Sequence, residues 1–103
     1  MHLDISIEEN GSLLSLKGRL DALSMEQFEQ AVKSQIEEGS SSFTLDFAEL
    51  VYISSGGLRV IMNTVKILEK QKRCLVIRNA QPNVYSIFML TGFDKFIEIS
   101  QLA

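Results

Sequence analysis

Apolar and polar residues alternate along the first twenty positions of the chain. Two runs of alternating apolar positions lie on either side of Asn10-Gly11: Leu3, Ile5 and Ile7, then Leu14, Leu16 and Leu20. A period of two is typical of a half-buried strand, and Asn-Gly suits the positive φ angles of a tight hairpin turn. The pattern therefore predicts that the chain opens with a β-hairpin.

Three later stretches carry apolar residues at helical spacing. The first begins at Ser24-Met-Glu-Gln27, which fits a capping box, and Gly39 is placed to end it. The second runs from Leu58, and the third begins at Pro82 and closes at Gly92. The apolar faces of the three stretches are Phe28, Ala31, Val32 and Ile36; Leu58, Ile61, Met62, Val65 and Leu68; and Val84, Ile87 and Phe88. We predict three helices.

Further strands separate these helices. Phe43, Leu45 and Phe47 alternate, residues 74–77 form a continuous apolar run that we expect at the centre of the sheet, and residues 96–99 suit a last short strand. The order β-β-α-β-α-β-α-β implies parallel crossovers after the hairpin. The predicted fold is α/β: a single domain over residues 1–103, with a mixed, mostly parallel sheet and helices packed on it.

The composition narrows the possible partners and compartment. The chain has 103 residues with a net charge of −3, and because it carries no run of like charge we do not expect it to bind nucleic acid. Its one cysteine, Cys74, cannot form an internal disulfide, and we expect a small buried side chain in a reducing compartment. The N-terminus does not resemble a signal peptide, and no apolar stretch has the length of a membrane span. We therefore expect a cytoplasmic protein without a membrane partner.

The residue types needed for common catalytic sites are scarce. His2 is the only histidine, and the chain has no G-x-S-x-G or G-x-x-x-x-G-K-[ST] motif. One histidine and one cysteine also do not supply the usual zinc ligand sets. We expect no enzymatic activity, no metal and no cofactor.

The stretch Val51-Tyr-Ile-Ser-Ser-Gly-Gly-Leu-Arg-Val60 joins a predicted strand to the second helix. Ser54 or Ser55 would provide the helix N-cap. A cap alone does not explain Gly56-Gly57, because a glycine in a helix costs about 1 kcal/mol relative to alanine. The alternative is a site for close approach by another protein, where the positive end of the helix would favour a phosphate on Ser55. The residues alone leave both interpretations open.

Three segments together resemble the STAS domains of bacterial anti-sigma factor antagonists: Gly18-Arg-Leu-Asp-Ala22, Phe43-Thr-Leu-Asp-Phe47 and Tyr52-Ile-Ser-Ser-Gly-Gly-Leu-Arg-Val60. The resemblance extends over essentially the whole chain. It implies that a serine/threonine kinase, itself the anti-sigma factor, phosphorylates Ser55. Many family members have Asp before the phosphoacceptor, where this chain has Ser54, and Gly56 replaces a more usual Ser, Thr or Ala.

The function implied is partner switching. The unmodified protein would bind the anti-sigma kinase and free a sigma factor, phosphorylation of Ser55 would release the kinase, and a PP2C-like phosphatase would reverse the modification. The resemblance places the expected partner contacts at Asp21, Ser54, Gly56, Gly57, Leu58 and Arg59. The alternative is a STAS domain that is not phosphorylated and serves as a structural or scaffold subunit of a sensory or lipid-transport assembly.

Individual residues in these segments also have simpler explanations. Asp21 is either a turn residue before the first helix, with Ser24 as the cap, or a contact on the kinase face. Arg59 is either a solvated cation or a partner for phosphate on Ser55, one helical turn away. For Asp46 we favour a structural role. For Gly57 we expect that replacement by valine blocks the partner while the fold survives.

Overall fold

The structure is a computed structural model that describes residues 3–8, 13–38 and 42–102. In these ranges it contains β1 (Asp4–Glu8), β2 (Leu13–Leu20), α1 (Met25–Glu38), β3 (Ser42–Ile53), α2 (Ser55–Lys70), β4 (Cys74–Ala80), α3 (Pro82–Thr91), a 3₁₀ turn (Phe93–Lys95) and β5 (Glu98–Gln101). The predicted element order is confirmed. The predicted turn at Asn10-Gly11 and the predicted helix end at Gly39 lie outside the described residues.

The five strands lie in the sheet in chain order, from β1 to β5. β1 is antiparallel to β2, and every later pair is parallel. The sheet is therefore mixed and mostly parallel, as predicted. Because successive right-handed crossovers step in the same direction, α1, α2 and α3 pack on one face of the sheet. β2, β3 and β4 all end at one edge of the sheet, at Leu20, Ile53 and Ala80. We call this the carboxyl edge.

The core lies between the sheet and the helices. α1 contributes Phe28 and Val32 to it, and α2 contributes Ile61, Val65 and Leu68, at the helical spacing of the sequence. In α3, the Phe88 ring lies 6.2 Å from the ring of Phe47 and 5.5 Å from that of Phe93, between ring centroids. None of the helices in the described ranges is long and apolar enough to cross a membrane.

The expectations for residues 74–77 need two corrections. β4 has neighbours on both sides, but the middle strand of the five is β3. Cys74 is exposed instead of buried. Leu75 and Ile77 face the core, and because successive side chains of a strand point to opposite faces, Cys74 points away from it at the start of β4.

β3 is a single strand with an extra residue at each of two points. Along β2, Ser15 and Lys17 pair with Asp46 and Glu49, and Gly18 and Arg19 then pair with Leu50 and Tyr52. These shifts are β-bulges, which bend a strand and redirect its side chains. They also explain why the buried residues of β3 change from a spacing of two, at Phe43, Leu45 and Phe47, to a spacing of three, at Leu50 and Ile53.

Candidate functional site

The two turns that the sequence singles out meet at the carboxyl edge. β2 ends at Leu20 and β3 at Ile53, and the backbone amide of Ser54 donates a hydrogen bond of 2.8 Å to the carbonyl of Leu20. This bond joins the end of β2 to the start of α2. The segment around Asp21 and the segment around Ser55 therefore form one continuous surface.

Ser54 and Ser55 have different roles in the turn. Ser54 is the N-cap of α2, with extended backbone angles of φ −92° and ψ 168°, and its hydroxyl accepts a 3.2 Å hydrogen bond from the amide of Gly57. Ser55 is the first helical residue and is exposed. Within the described part of the chain, no hydrogen bond uses the Ser55 hydroxyl. The Ser55 hydroxyl is thus open to solvent at the positive end of a helix of 16 residues.

The structure gives a strong internal reason for Gly57 and only a weak one for Gly56. A Cβ on Gly57 would lie 2.9 Å from Cγ and Cδ2 of Leu20 and 3.1 Å from Cγ1 of Ile53. Gly57 is itself buried, so its missing side chain lets α2 pack closely on the strand ends. A Cβ on Gly56 would meet the sulfur of Met25. The expectation that Gly57→Val affects only the approach of a partner therefore needs correction, because the valine side chain would also clash with Leu20 and Ile53 inside the fold.

The capping box of α1 forms, but three residues earlier than predicted. Asp21 Oδ1 accepts hydrogen bonds from the amides of Leu23 at 3.1 Å and Ser24 at 3.3 Å, and the Ser24 hydroxyl accepts one from the amide of Asp21 at 3.0 Å. This reciprocal pair is the capping-box arrangement. The predicted box from Ser24 to Gln27 is wrong, because the Gln27 amide reaches away to the carbonyl of Leu3 at 2.8 Å.

Asp21 therefore has a structural role in the turn before α1, one of the two interpretations that its sequence position allows. Partial burial raises the pKa of its carboxyl group, but the Leu23 amide, the hydroxyl and amide of Ser24 and the Arg19 guanidinium together lower that pKa below its ordinary value. Asp21 Oδ2 lies 3.6 Å from Nε of Arg19, and the Asp21 side chain remains 28% exposed. A partner that covers this edge would still contact it.

Three residues of this region were not among the predicted contacts. Arg19 places its guanidinium carbon 4.2 Å from the centroid of the Tyr52 ring, a cation–π contact between neighbouring strands. Leu23, between Asp21 and Ser24, is 96% exposed. A leucine inside a polar turn was the only sequence signal for Leu23. The stacking of Arg19 on Tyr52 depends on the bulge in β3 and has no signal in the local sequence.

Leu58 and Arg59 follow the glycine pair on α2. Leu58 is half-buried and packs against the core, so only part of its side chain is available to a partner. Arg59 is exposed. Of the seven predicted site residues, only Gly57 is buried.

Polar side chains satisfy the backbone groups that the bulges of β3 leave unpaired. Asp46 Oδ1 accepts from the amide of Ala48 at 3.0 Å and from Nδ2 of Asn79 at 3.2 Å. The side-chain amides of Gln81 and Asn83 donate to the carbonyls of Ala48 and Val51, at 2.8 and 2.9 Å. These contacts confirm the structural role of Asp46. They also fix the path of β3 into the Ser54-Ser55 turn.

The described residues contain no group of three or more His, Cys, Asp or Glu side chains that could hold a metal ion. The carboxyl edge instead offers exposed side chains, a free hydroxyl and a helix N-terminus. These features suit contact with another protein or with an anion.

Comparison with known proteins identifies relatives over most of the chain. The family profile described as "Mlab, STAS domain" matches residues 3–99. The chain is 34% identical over 85 residues to BtrV of Bordetella bronchiseptica, assigned as an anti-sigma factor antagonist, and the match covers 82% of this chain and 73% of BtrV. It is 25% identical over 100 residues to the anti-sigma-B factor antagonist of Bacillus subtilis, which covers 97% of this chain and 91% of that relative.

Solved structures share the fold. An anti-sigma factor antagonist from Mycobacterium paratuberculosis superposes with a TM-score of 0.82 at 20% identity, over 95% of this chain and 83% of the other. The Bacillus cell fate determinant SpoIIAA, solved in its phosphorylated form, gives a TM-score of 0.70 at 17% identity, over 94% and 89%. The profile match and the identity to BtrV show that the chain belongs to the STAS-domain family of anti-sigma factor antagonists.

Proposed function

We propose that the unphosphorylated protein binds an anti-sigma factor serine/threonine kinase and thereby frees a sigma factor. The kinase phosphorylates Ser55, the modified protein leaves its partner, and a PP2C-like phosphatase restores the binding form. Because the proposed partners act on transcription, we place this cycle in the cytoplasm. The family membership supports antagonism of an anti-sigma factor, and the kinase and phosphatase steps are the finer part of the proposal.

The observation that carries the proposal is the division of roles between the two serines. Ser54 uses its hydroxyl to cap α2, whereas the hydroxyl of Ser55 is exposed. A kinase could therefore modify Ser55 without removing the cap. Since the cap and the bond from the Ser54 amide to Leu20 are retained, phosphorylation need not unfold the turn.

The physical effect of the phosphate would be on the interface. A phosphoryl group adds about −1.5 to −2 charges at neutral pH, with three strong acceptor oxygens. The positive end of α2 favours this charge within the free domain. A partner that had closed over an uncharged Ser55 would instead have to desolvate the phosphate, and an interface core tolerates an unpaired charge poorly.

Phosphate transfer to defined variants tests the proposal. Each anti-sigma factor serine kinase encoded by the same genome is purified, incubated with ATP and the protein, and the phosphorylated residue is located by mass spectrometry. We expect one phosphate on wild type and on Ser54→Ala, and none on Ser55→Ala. Ser55→Asp should bind the same kinase more weakly than wild type does.

Two outcomes would contradict the proposal. Equal phosphorylation of wild type and Ser55→Ala would move the acceptor to another residue. If none of the purified kinases binds or modifies the wild-type protein, the domain is not a kinase-controlled switch, and a role as a structural or scaffold subunit is favoured instead.

A further inference from the structure

The most exposed large apolar side chain in the described part of the chain lies beside the proposed kinase site. Leu23 is 96% exposed. An isolated exposed leucine needs no special explanation. Leu23, however, lies at the carboxyl edge, two residues after Asp21, and Tyr52 at the same edge is 38% exposed. The position of Leu23 beside the Ser54-Ser55 turn, more than its exposure, makes it a candidate contact.

The backbone that carries Leu23 is held in place before any partner arrives. Its amide donates to Asp21 Oδ1 at 3.1 Å, and the amide of Ser24 donates to the same oxygen at 3.3 Å. The Ser24 hydroxyl donates to the carbonyl of Arg19 at 2.7 Å and accepts from the amide of Asp21 at 3.0 Å. A side chain presented by an ordered turn loses less conformational entropy on binding.

The neighbours of the turn indicate the chemistry of a complementary surface. Arg19 stacks on Tyr52 at 4.2 Å and is 42% exposed in its side chain. Asp21 faces Nε of Arg19 at 3.6 Å. The remaining guanidinium donors of Arg19 can bind an acceptor on a partner. A complementary surface would therefore carry an apolar pocket for Leu23 and a carboxylate or carbonyl group for Arg19.

A kinase bound over Ser55 would reach Leu23. A standard protein interface covers about 800 Å² on each partner, equivalent to a disc of roughly 16 Å radius. The amide of Ser54 contacts the carbonyl of Leu20 at 2.8 Å. Three residues of chain span at most about 11 Å, so the Cα of Leu23 lies within about 11 Å of that of Leu20. An interface of this size centred on the Ser54-Ser55 turn is therefore wide enough to include Leu23.

We propose that Leu23 is an apolar anchor that inserts into a pocket of the anti-sigma factor kinase, with Arg19 and Tyr52 at the rim of the contact. This inference rests on the proposed function, because it takes the kinase as the occupant of the carboxyl edge. It adds a contact that depends on shape and apolar burial, separate from the electrostatic effect of phosphate on Ser55.

The test compares Leu23 with a second exposed leucine that lies far from the site. Leu90 is 86% exposed near the end of α3, which starts beyond the end of β4 and returns to the opposite edge of the sheet. Calorimetry measures the affinity of five proteins for the anti-sigma kinase that modifies the wild-type protein. The five proteins are wild type, Leu23→Ala, Leu23→Met, Leu90→Ala and Ser55→Asp. Thermal melting of each variant checks that it is folded.

We expect Leu23→Ala to weaken binding at least tenfold, because burial of a leucine side chain would be lost. Leu23→Met should bind within about threefold of wild type, since methionine fills a similar volume. Leu90→Ala should bind as wild type does. Because both leucines are almost fully exposed, both alanine variants should melt at the wild-type temperature.

The arms of the experiment separate this inference from the proposed function. If Leu23→Ala binds as tightly as Leu90→Ala while Ser55→Asp binds more weakly than wild type, the anchor is refuted and the phosphorylation switch stands. If the wild-type protein binds no anti-sigma kinase of its genome, the proposed function itself is refuted, and the anchor with it.

Discussion

A methyl group added at Gly57 is expected to destabilise the protein, whereas the same group at Gly56 is not. At Gly57 the new Cβ would lie 2.9 Å from two atoms of Leu20 and 3.1 Å from Ile53. Leu20 is fully buried and Ile53 is 3% exposed, so neither side chain has free space to move into. At Gly56 the obstacle is the sulfur near the end of the flexible, half-buried Met25 side chain.

The expected change in the free energy of unfolding for Gly57→Ala is the difference between two opposing effects. Overpacking a buried site typically costs about 1–3 kcal/mol. Replacing glycine by alanine in a helix recovers up to about 1 kcal/mol. Because the new Cβ would press on two fully packed side chains, we expect an overpacking cost in the upper half of that range, about 2–3 kcal/mol. After the helix propensity is recovered, Gly57→Ala should lower the free energy of unfolding by about 1–2 kcal/mol. For a domain of this size that corresponds to a fall in melting temperature of roughly 5–15 °C. Gly57→Val should be worse, because valine adds two more buried carbons.

The assay is thermal and urea unfolding of wild type, Gly56→Ala, Gly57→Ala and Gly57→Val, followed by circular dichroism. Gly56→Ala should remain within about 0.5 kcal/mol of wild type, because the end of Met25 can move and the helix gains propensity. If Gly57→Ala is as stable as Gly56→Ala, close packing against Leu20 does not explain the second glycine. A role in partner approach would then regain support.

Three further predictions concern the same edge. Ser54→Ala should lower the free energy of unfolding, measured in urea, by about 1 kcal/mol, because the cap on the Gly57 amide is lost. Ser55→Ala should leave it unchanged, and equal free energies for the two variants would refute the assignment of Ser54 as the cap. Asp21 has a lowered folded-state pKa, so its stabilising effect is present above the ordinary pKa of about 4 and is lost below it, as the pH falls through the folded-state pKa. Between pH 5 and pH 2, scanning calorimetry should show a steeper fall in melting temperature for wild type than for Asp21→Asn, and parallel curves would contradict this. If Arg59 binds phosphate on Ser55, phosphorylation should shift the melting temperature less in Arg59→Gln than in wild type, and equal shifts would leave Arg59 as a solvated cation.

The element order was predictable because its signals are periodic and local. Alternation of apolar residues in β1 and β2, and helical spacing in α1, α2 and α3, need no knowledge of the tertiary structure. Gly92 ends α3 in the left-handed region, with φ 77°, as its position after the last apolar residue predicted. Family resemblance then placed these elements in the fold that the profile match supports.

The position of the first capping box could not be decided locally, because two patterns overlap. Asp21 to Ser24 and Ser24 to Gln27 both have the spacing of a box. The structure decides between them: β2 ends at Leu20, and the amide of the next residue, Asp21, donates to the Ser24 hydroxyl. Gln27 is then free to bind the carbonyl of Leu3, a partner 24 positions away.

The serine pair shows the same dependence on distant residues. From the sequence, either Ser54 or Ser55 could cap α2 and leave the other as phosphoacceptor. The cap must be the last residue with extended backbone. The hydrogen bond from the Ser54 amide to the carbonyl of Leu20 holds the Ser54 backbone extended, as a continuation of β3. Helical geometry therefore starts at Ser55, with its hydroxyl in solvent. The end of β2 thus determines which of the two hydroxyls caps the helix and which one is exposed.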